Sequence, residues 1–246
     1  MFKQIDKRGS RSEDDADQYD ADRQFCAQLL SLFLARESDP LSQQSIGANE
    51  LDALYHENTI FDTQGEAAKR FEEILHMTSA VFIAAFAQTA GDANKRLKLK
   101  FRKLDVIVAF LLVQDLSRNK QFKFEKSFQQ TLAKHILADR ETPSTGRSTS
   151  GPAIAKYYEE WRSKIIEHIG IRLDPKRIFD DGEKQAIYSR DEGRCKVCGE
   201  VCDPSDAEYD HFPVAHALGG KTVVENERLV HAKCHQRGPI KSVAVE

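Results

Sequence analysis

The amino-acid sequence predicts a mainly α-helical protein that ends in a small, separately built C-terminal module. Three observations point there. Apolar residues recur at helical spacing from about residue 21 to 139. The stretch ETPSTGRSTSG, rich in Ser, Thr, Gly and Pro, interrupts that pattern at 141–151. Four of the five cysteines, Cys195, Cys198, Cys202 and Cys234, crowd the last part of the chain, and Cys26 stands alone. The 246 residues are enough for one large or two modest domains. The net charge of −3 excludes a general polycation, so affinity for nucleic acid would need a local basic surface or a metal.

Taken in order, residues 1–20 carry Glu13, Asp14, Asp15, Asp17 and Asp20 and are expected to form a disordered acidic arm. A helical domain follows over 21–140. Phe25, Leu29, Leu30, Leu32 and Phe33 share one helix face, and Asn49 to Tyr55 suits a short helix. Glu66 to Gln88 has one greasy face, made of Ala68, Phe71, Ile74, Leu75, Val81, Phe82 and Phe86, and Gly91 is a plausible stop. Phe101 to Leu116 is apolar on most sides and fits the centre of a bundle. Phe122 to Leu137 is amphipathic. After the linker or loop at 141–151, a connecting helix within 152–176 carries Tyr157, Tyr158, Trp161, Ile165 and Ile166 and gives way at Gly170 and Pro175. Gly182 to Asp191 is a short helix that opens the C-terminal module, 177–246. The longest apolar run, Val106–Val113, is far short of the ~20 residues of a membrane span. No apolar signal core follows the first charges. A cytoplasmic protein without membrane contact is therefore expected.

A module this small buries little surface and usually needs a staple. Cys195-x-x-Cys198 forms a knuckle, and His231-x-x-Cys234 is a second pair of suitable spacing. Together they make a Cys3His set, closed and tetrahedral, as in structural zinc sites. Cys202 is the alternative fourth ligand in place of His231, and ordinary buried cysteines are the bland alternative. Asp210 and His211 cannot both join a shell already full. His235 directly follows Cys234 and should point elsewhere. Asp210 and His235 suit a harder ion, Mg²⁺ or Mn²⁺. His211 is then available as a base, since free histidine titrates near pH 6.5. The amide of Asn226 is placed to brace the His211 loop.

Cys-x-x-Cys, Asp210-His211, Gly219-Gly220, Asn226 and His-x-x-Cys-His, in that order, resemble the HNH endonuclease family over about 177–240. The resemblance implies a ββα-metal fold, in which two strands flank a turn and a helix packs across them. It implies that Asp210 and His235 hold the catalytic ion, that His211 is the general base, and that Asn226 positions it, with His235 as the final histidine of the motif. The reaction implied is metal-dependent hydrolysis of DNA phosphodiesters, by nicking or double-strand cleavage, leaving 5′-phosphate and 3′-hydroxyl ends. The loop FPVAHAL before Gly219 is about one residue longer than the family pattern and contains His216, read as a loop histidine or a contact to phosphate or metal. The competing reading is an inert HNH module, a zinc-stabilised protein that binds nucleic acid without cutting it.

Lys95, Arg96, Lys98, Lys100, Arg102 and Lys103 form the most basic segment, followed by Arg118, Lys120, Lys123 and Lys126. They read either as a DNA-contacting surface or as solvated helix faces. Phe101, Phe122 and Phe124 fit a core better than base stacking. NELDALYHENTIF and the helices after it resemble, more weakly, the GmrSD-type, ParB-like bacterial defence proteins, although their DGQQR signature is absent. That likeness implies restriction or anti-phage defence. A protein partner or a homodimer is a further expectation for the helical region. No Gly-rich Walker loop is present, so no NTPase is expected.

Overall fold

The computed structural model describes residues 15–38, 45–57, 62–89, 101–120, 122–141, 149–169 and 171–235. Among them the chain is mainly helical, with one two-stranded sheet. Six helices come first: α1 (Asp15–Ser38), α2 (Ala48–Glu57), α3 (Glu66–Gln88), α4 (Lys103–Leu116), α5 (Lys126–Glu141) and α6 (Gly151–Ile169). Then come α7 (Asp181–Arg190), β1 (Ala207–His211) and β2 (Glu227–His231). No helix among the described residues is long and apolar enough to cross a membrane. The chain divides into two compact units. One takes Met1–Ala35, Gln43–Gln114 and Phe124–His168, and the other Arg36–Ser42, Asp115–Lys123 and Ile169–Glu246.

The first unit is built around α4, in which every residue from Leu104 to Leu116 is buried, the last two belonging to the second unit. A helix apolar on all sides has no solvent face and must take the centre. Asp105 stabilises its start, accepting the Arg102 backbone N–H at 3.0 Å. Phe71 of α3 sits between Phe33 of α1, at 5.4 Å, and Phe110 of α4, at 5.8 Å. Tilted and edge-on rings at such distances add to the burial energy. The α3 and α5 helices pack together, and Gln88 donates to the Gln130 carbonyl at 3.1 Å. Trp161 of α6 is buried and meets His135 of α5 edge-on at 5.2 Å.

Several boundaries differ from expectation. The α1 helix starts at Asp15, inside the stretch expected to be a disordered arm, and residues 1–14 lie outside the described residues. Acidic residues suit the positive end of a helix, which is why such a run can extend one. The helix expected from Phe122 begins only at Lys126. The Phe122 N–H closes a turn onto Asn119 O at 2.9 Å, and Phe124 instead lays its ring against Phe128 at 5.5 Å. The α5 helix runs on to Glu141, and α6 begins at Gly151. Pro152 then falls in a first turn, where its missing N–H is no loss. Most of the expected linker, 142–148, lies outside the described residues, as do Gly91, Lys95, Arg96, Lys98 and Lys100.

The second unit positions the site. Its helix α7 opens with a capping box: Asp180 accepts the Glu183 N–H at 2.9 Å, and Glu183 accepts the Asp180 N–H at 3.0 Å. The strands β1 and β2 are antiparallel, pairing Ala207 with His231 through to His211 with Glu227. Side chains alternate across a strand. One face of the hairpin therefore carries Ala207, Tyr209, His211, Glu227, Leu229 and His231. The other carries Glu208, Asp210, Arg228 and Val230. On the first face Leu229 forms a core with Phe179, Ile187 and Cys202. The ends of α1 and α4 also belong to this unit: Asp115 pairs with Arg36 and with Arg118, the latter at 2.5 Å. Asn119 Nδ2 donates to the Leu218 carbonyl at 2.9 Å.

Candidate functional site

Cys195 and Cys198 lie on a knuckle closed by an antiparallel bridge between Arg194 and Val201. Cys195 N–H donates to Glu200 O at 2.9 Å, and Gly199 N–H returns to Cys195 O at 2.8 Å. Gly199 makes the turn at φ +78°, a left-handed conformation costly for other residues. His231 ends β2, and Cys234 follows in the turn, its N–H on His231 O at 2.9 Å. The ligand atoms of Cys195, Cys198, His231 and Cys234 all lie within 4.8 Å of one another, compatible with a structural metal such as zinc. His231 turns Nδ1 to the Cys198 sulfur at 3.3 Å. Its Nε2 faces the Val201 carbonyl at 3.1 Å, which fixes the tautomer that leaves Nδ1 to bind. Burial works against ionising Cys195, but backbone N–H groups of Cys198, His231 and Val197 outweigh it and bring the thiol down to about 6. Burial, and then hydrogen bonds to the Cys195 and Cys198 sulfurs, push the Cys234 thiol up. A metal would take that proton's place. Cys202 stands outside the set. It is fully buried beside Phe179, Ile187 and Leu229, and burial pushes its thiol up.

The Asp210-His211 pair sits at the end of β1, and its two side chains take opposite faces of the hairpin. His211 Nε2 lies 3.0 Å from Thr222 Oγ1, while the Thr222 hydroxyl donates to the Lys176 carbonyl. The hydroxyl proton is thus engaged, so His211 carries its own proton on Nε2 and leaves a lone pair on Nδ1. Nδ1 has no hydrogen-bond partner among the described residues. The ring packs on Phe179 at 4.9 Å and His216 at 5.3 Å. That burial, with the nearby His216, brings His211 down to about 4, so it is neutral at pH 7.

Asn226 spans the loop between the strands. Its Oδ1 accepts the Val214 N–H at 3.0 Å, and its Nδ2 donates to Val214 O at 2.8 Å and Lys221 O at 3.0 Å. The Gly-Gly pair has two separate causes. Gly219 adopts φ +83°, and a Cβ on Gly220 would stand 1.9 Å from the Val214 carbonyl oxygen. His216 is a loop anchor, with Nε2 on the Asp174 carbonyl at 2.8 Å. The Asp174 carboxylate in turn accepts the Thr222 N–H at 3.1 Å.

On the other face, Asp210 is buried and divided between two partners. Oδ2 accepts from Arg228 Nε at 2.9 Å and Nη2 at 2.8 Å. Oδ1 lies 3.3 Å from His235 Nε2. His235 Nδ1 meets Glu208 Oε2 at 2.5 Å. Asp210 first, then Glu208, favours the protonated form of His235 and raises its pKa above the usual histidine value despite burial. The two expected ligands of a hard ion are thus neighbours. Among the described residues, however, only the Cys3His set gathers three or more metal-binding side chains.

Sequence reasoning singled out neither Arg228, Glu208, Thr222 nor Asp174, nor a fifth residue, Glu227. Glu227 is buried beside the site, and neither oxygen of its carboxyl has a hydrogen-bond partner. Of the expected DNA-contacting cations, Arg102 is described within the first unit and pairs with Asp105 at 2.5 Å and Asp139 at 3.1 Å. Lys103 lies over the Phe25 ring at 5.6 Å. Comparison with family models, with curated proteins and with solved structures finds no match.

Proposed function

We propose that the second unit is a metal-dependent endonuclease of the HNH type, stapled by zinc and hydrolysing DNA phosphodiester bonds. The observation that carries this reading is the meeting of Asp210 Oδ1 and His235 Nε2 at 3.3 Å on a hairpin whose preceding turn and following turn both feed the zinc set. Oxygen and nitrogen donors suit Mg²⁺ or Mn²⁺, ions that keep several waters and need few protein ligands. Such an ion, held by Asp210 and His235, would supply Lewis-acid assistance at the scissile phosphate. Glu208 orients the His235 ring so that Nε2 faces Asp210. His211 takes the proton of the attacking water at Nδ1, and Thr222 holds the opposite nitrogen. Asn226 keeps the intervening loop closed. The turn after β2 places His235 N–H on His231 O at 3.0 Å, and the expected third element of a ββα-metal fold lies outside the described residues. The weaker likeness of the helical region supports a setting in bacterial restriction or anti-phage defence.

A second reading is favoured by Arg228. Its buried guanidinium already neutralises one oxygen of Asp210, which weakens the aspartate as an ion ligand and suits an inert module that only binds nucleic acid. Zinc-loaded protein incubated with supercoiled plasmid in Mg²⁺, Mn²⁺ or EDTA separates the two. The nuclease gives metal-dependent open-circle or linear DNA, reduced on the order of 10²–10⁴-fold in His211→Ala. Intact plasmid with both metals, and retarded mobility on a gel, would instead establish the inert module.

A further inference from the structure

We infer that Arg177 and Lys221 form a phosphate-binding rim beside His211, contacting the DNA backbone next to the scissile bond. The inference rests on the nuclease reading. The segment from Arg172 to Phe179 is fastened to the His211 pocket at three points. His216 reaches the Asp174 carbonyl at 2.8 Å, the Thr222 hydroxyl reaches the Lys176 carbonyl, and the Phe179 ring lies 4.9 Å from the His211 ring. Arg177 therefore stands on a braced segment, between two residues that border the pocket. Lys221 immediately precedes Thr222, the hydrogen-bond partner of His211, and its own carbonyl is held by Asn226 at 3.0 Å.

The cations of this rim are not treated alike. Lys176 is neutralised by Glu183 at 2.6 Å and Asp180 at 3.3 Å. Arg177 and Lys221 are exposed, and among the described residues their side chains make no salt bridge and no hydrogen bond. Both stand at the pocket edge by their place in the chain: Arg177 follows the Lys176 carbonyl that the Thr222 hydroxyl reaches, and Lys221 precedes Thr222 itself. Cations that make no salt bridge, on a fixed backbone beside the proposed base, suit an anion, and a phosphodiester offers both negative charge and acceptor oxygens. Arg177 can meet two of those oxygens at once, as its planar fork allows, and Lys221 supplies a point charge.

The test is cleavage of a fluorescently labelled DNA duplex by the full-length, zinc-loaded chain, with KM, kcat and their salt dependence measured for wild type, Arg177→Gln, Arg177→Lys and Lys221→Gln. Zinc content and circular dichroism show that each variant is folded. Arg177→Gln is expected to raise KM on the order of tenfold, to leave kcat within a few-fold, and to flatten the slope of log(kcat/KM) against log[salt] by about 1. Arg177→Lys should restore the slope but only part of the KM. A merely structural role would not move the salt slope. If wild type cuts DNA and Arg177→Gln matches it in both KM and slope, the rim is refuted and the nuclease stands. If wild type neither cuts nor binds the duplex, the nuclease reading falls and the rim falls with it.

Discussion

Replacing Glu227 by Gln should stabilise the hairpin, and increasingly so as pH rises. The Glu227 residue is 3% exposed, and both carboxyl oxygens lack partners. Burial, and then the negative charge of Asp210, push its pKa from 4.5 up to about 9, with Arg190 and Arg228 only partly offsetting them. The folded chain therefore holds this proton where the unfolded chain has lost it. A raised acid contributes fully below the unfolded value, and its contribution drains away between about 4.5 and about 9. At pH 7 the cost is about 3 kcal/mol, from 1.36 kcal/mol per unit over the interval above 4.5. Glu227→Gln removes the titration, so the stability difference from wild type should widen by about 1.4 kcal/mol per pH unit. Hydrogen exchange at the amides of β1 and β2, read by mass spectrometry on zinc-loaded protein at matched pH between 6.5 and 8.5, measures it. Fluorescence would not serve, because the single tryptophan, Trp161, lies in the first unit. A difference that stays flat across that window would refute the claim that Glu227 is buried and protonated.

Four further outcomes are expected. Titration with a chromophoric chelator should find one zinc per chain in wild type and in Cys202→Ala, and none held tightly in Cys198→Ala. The Cys202 change should still cost about 1–2 kcal/mol in urea, because its sulfur fills the core beside Phe179 and Leu229. Gly220→Ala, whose added carbon meets a backbone oxygen, should destabilise the second unit by about 1–3 kcal/mol, seen as faster exchange in the Val214–Asn226 loop. Asp115→Ala leaves the Arg36 guanidinium buried without its carboxylate and should cost about 3–5 kcal/mol by denaturant titration, more than removing both partners together.

The Cys3His set was legible because its information is local. A Cys-x-x-Cys or His-x-x-Cys spacing brings two donors into one turn, and here the two pairs converge to within 4.8 Å. The spare thiol was not separable by spacing. Only the packing of Cys202 against Ile187 and Phe179 removes it from the ligand set. The long helices were equally readable from their apolar period, whereas the late start of α5 depends on a turn made by Asn119 and Phe122 that periodicity cannot register. Strand β2 hides most from sequence. All five residues of ERLVH are buried, although three of them are charged or polar and would ordinarily be assigned to solvent. Arg228 can be buried because Asp210 faces it across the hairpin. Glu227 has no such partner, and nothing in its sequence context announces that. Histidine's usual basicity was likewise a poor guide to His211, whose ring is enclosed by Phe179 and His216.

The hydrogen bond from Asn119 to Leu218 joins residues 99 positions apart within one unit. It has a bearing on how this module could travel between genes. A cut at residue 177 would yield a contiguous cassette with every residue of the Cys3His set and the hairpin, yet it would leave behind Asn119, the Asp115–Arg36 pair, and Asp174 and Lys176, which anchor His216 and Thr222. The excised cassette would lose the side-chain donor to the Leu218 carbonyl, beside the glycine that shapes its central loop, and leave that carbonyl to water. The folding unit is therefore larger than the stretch that bears the motif, and transplantation by the motif's borders alone should give a protein that keeps its loop poorly.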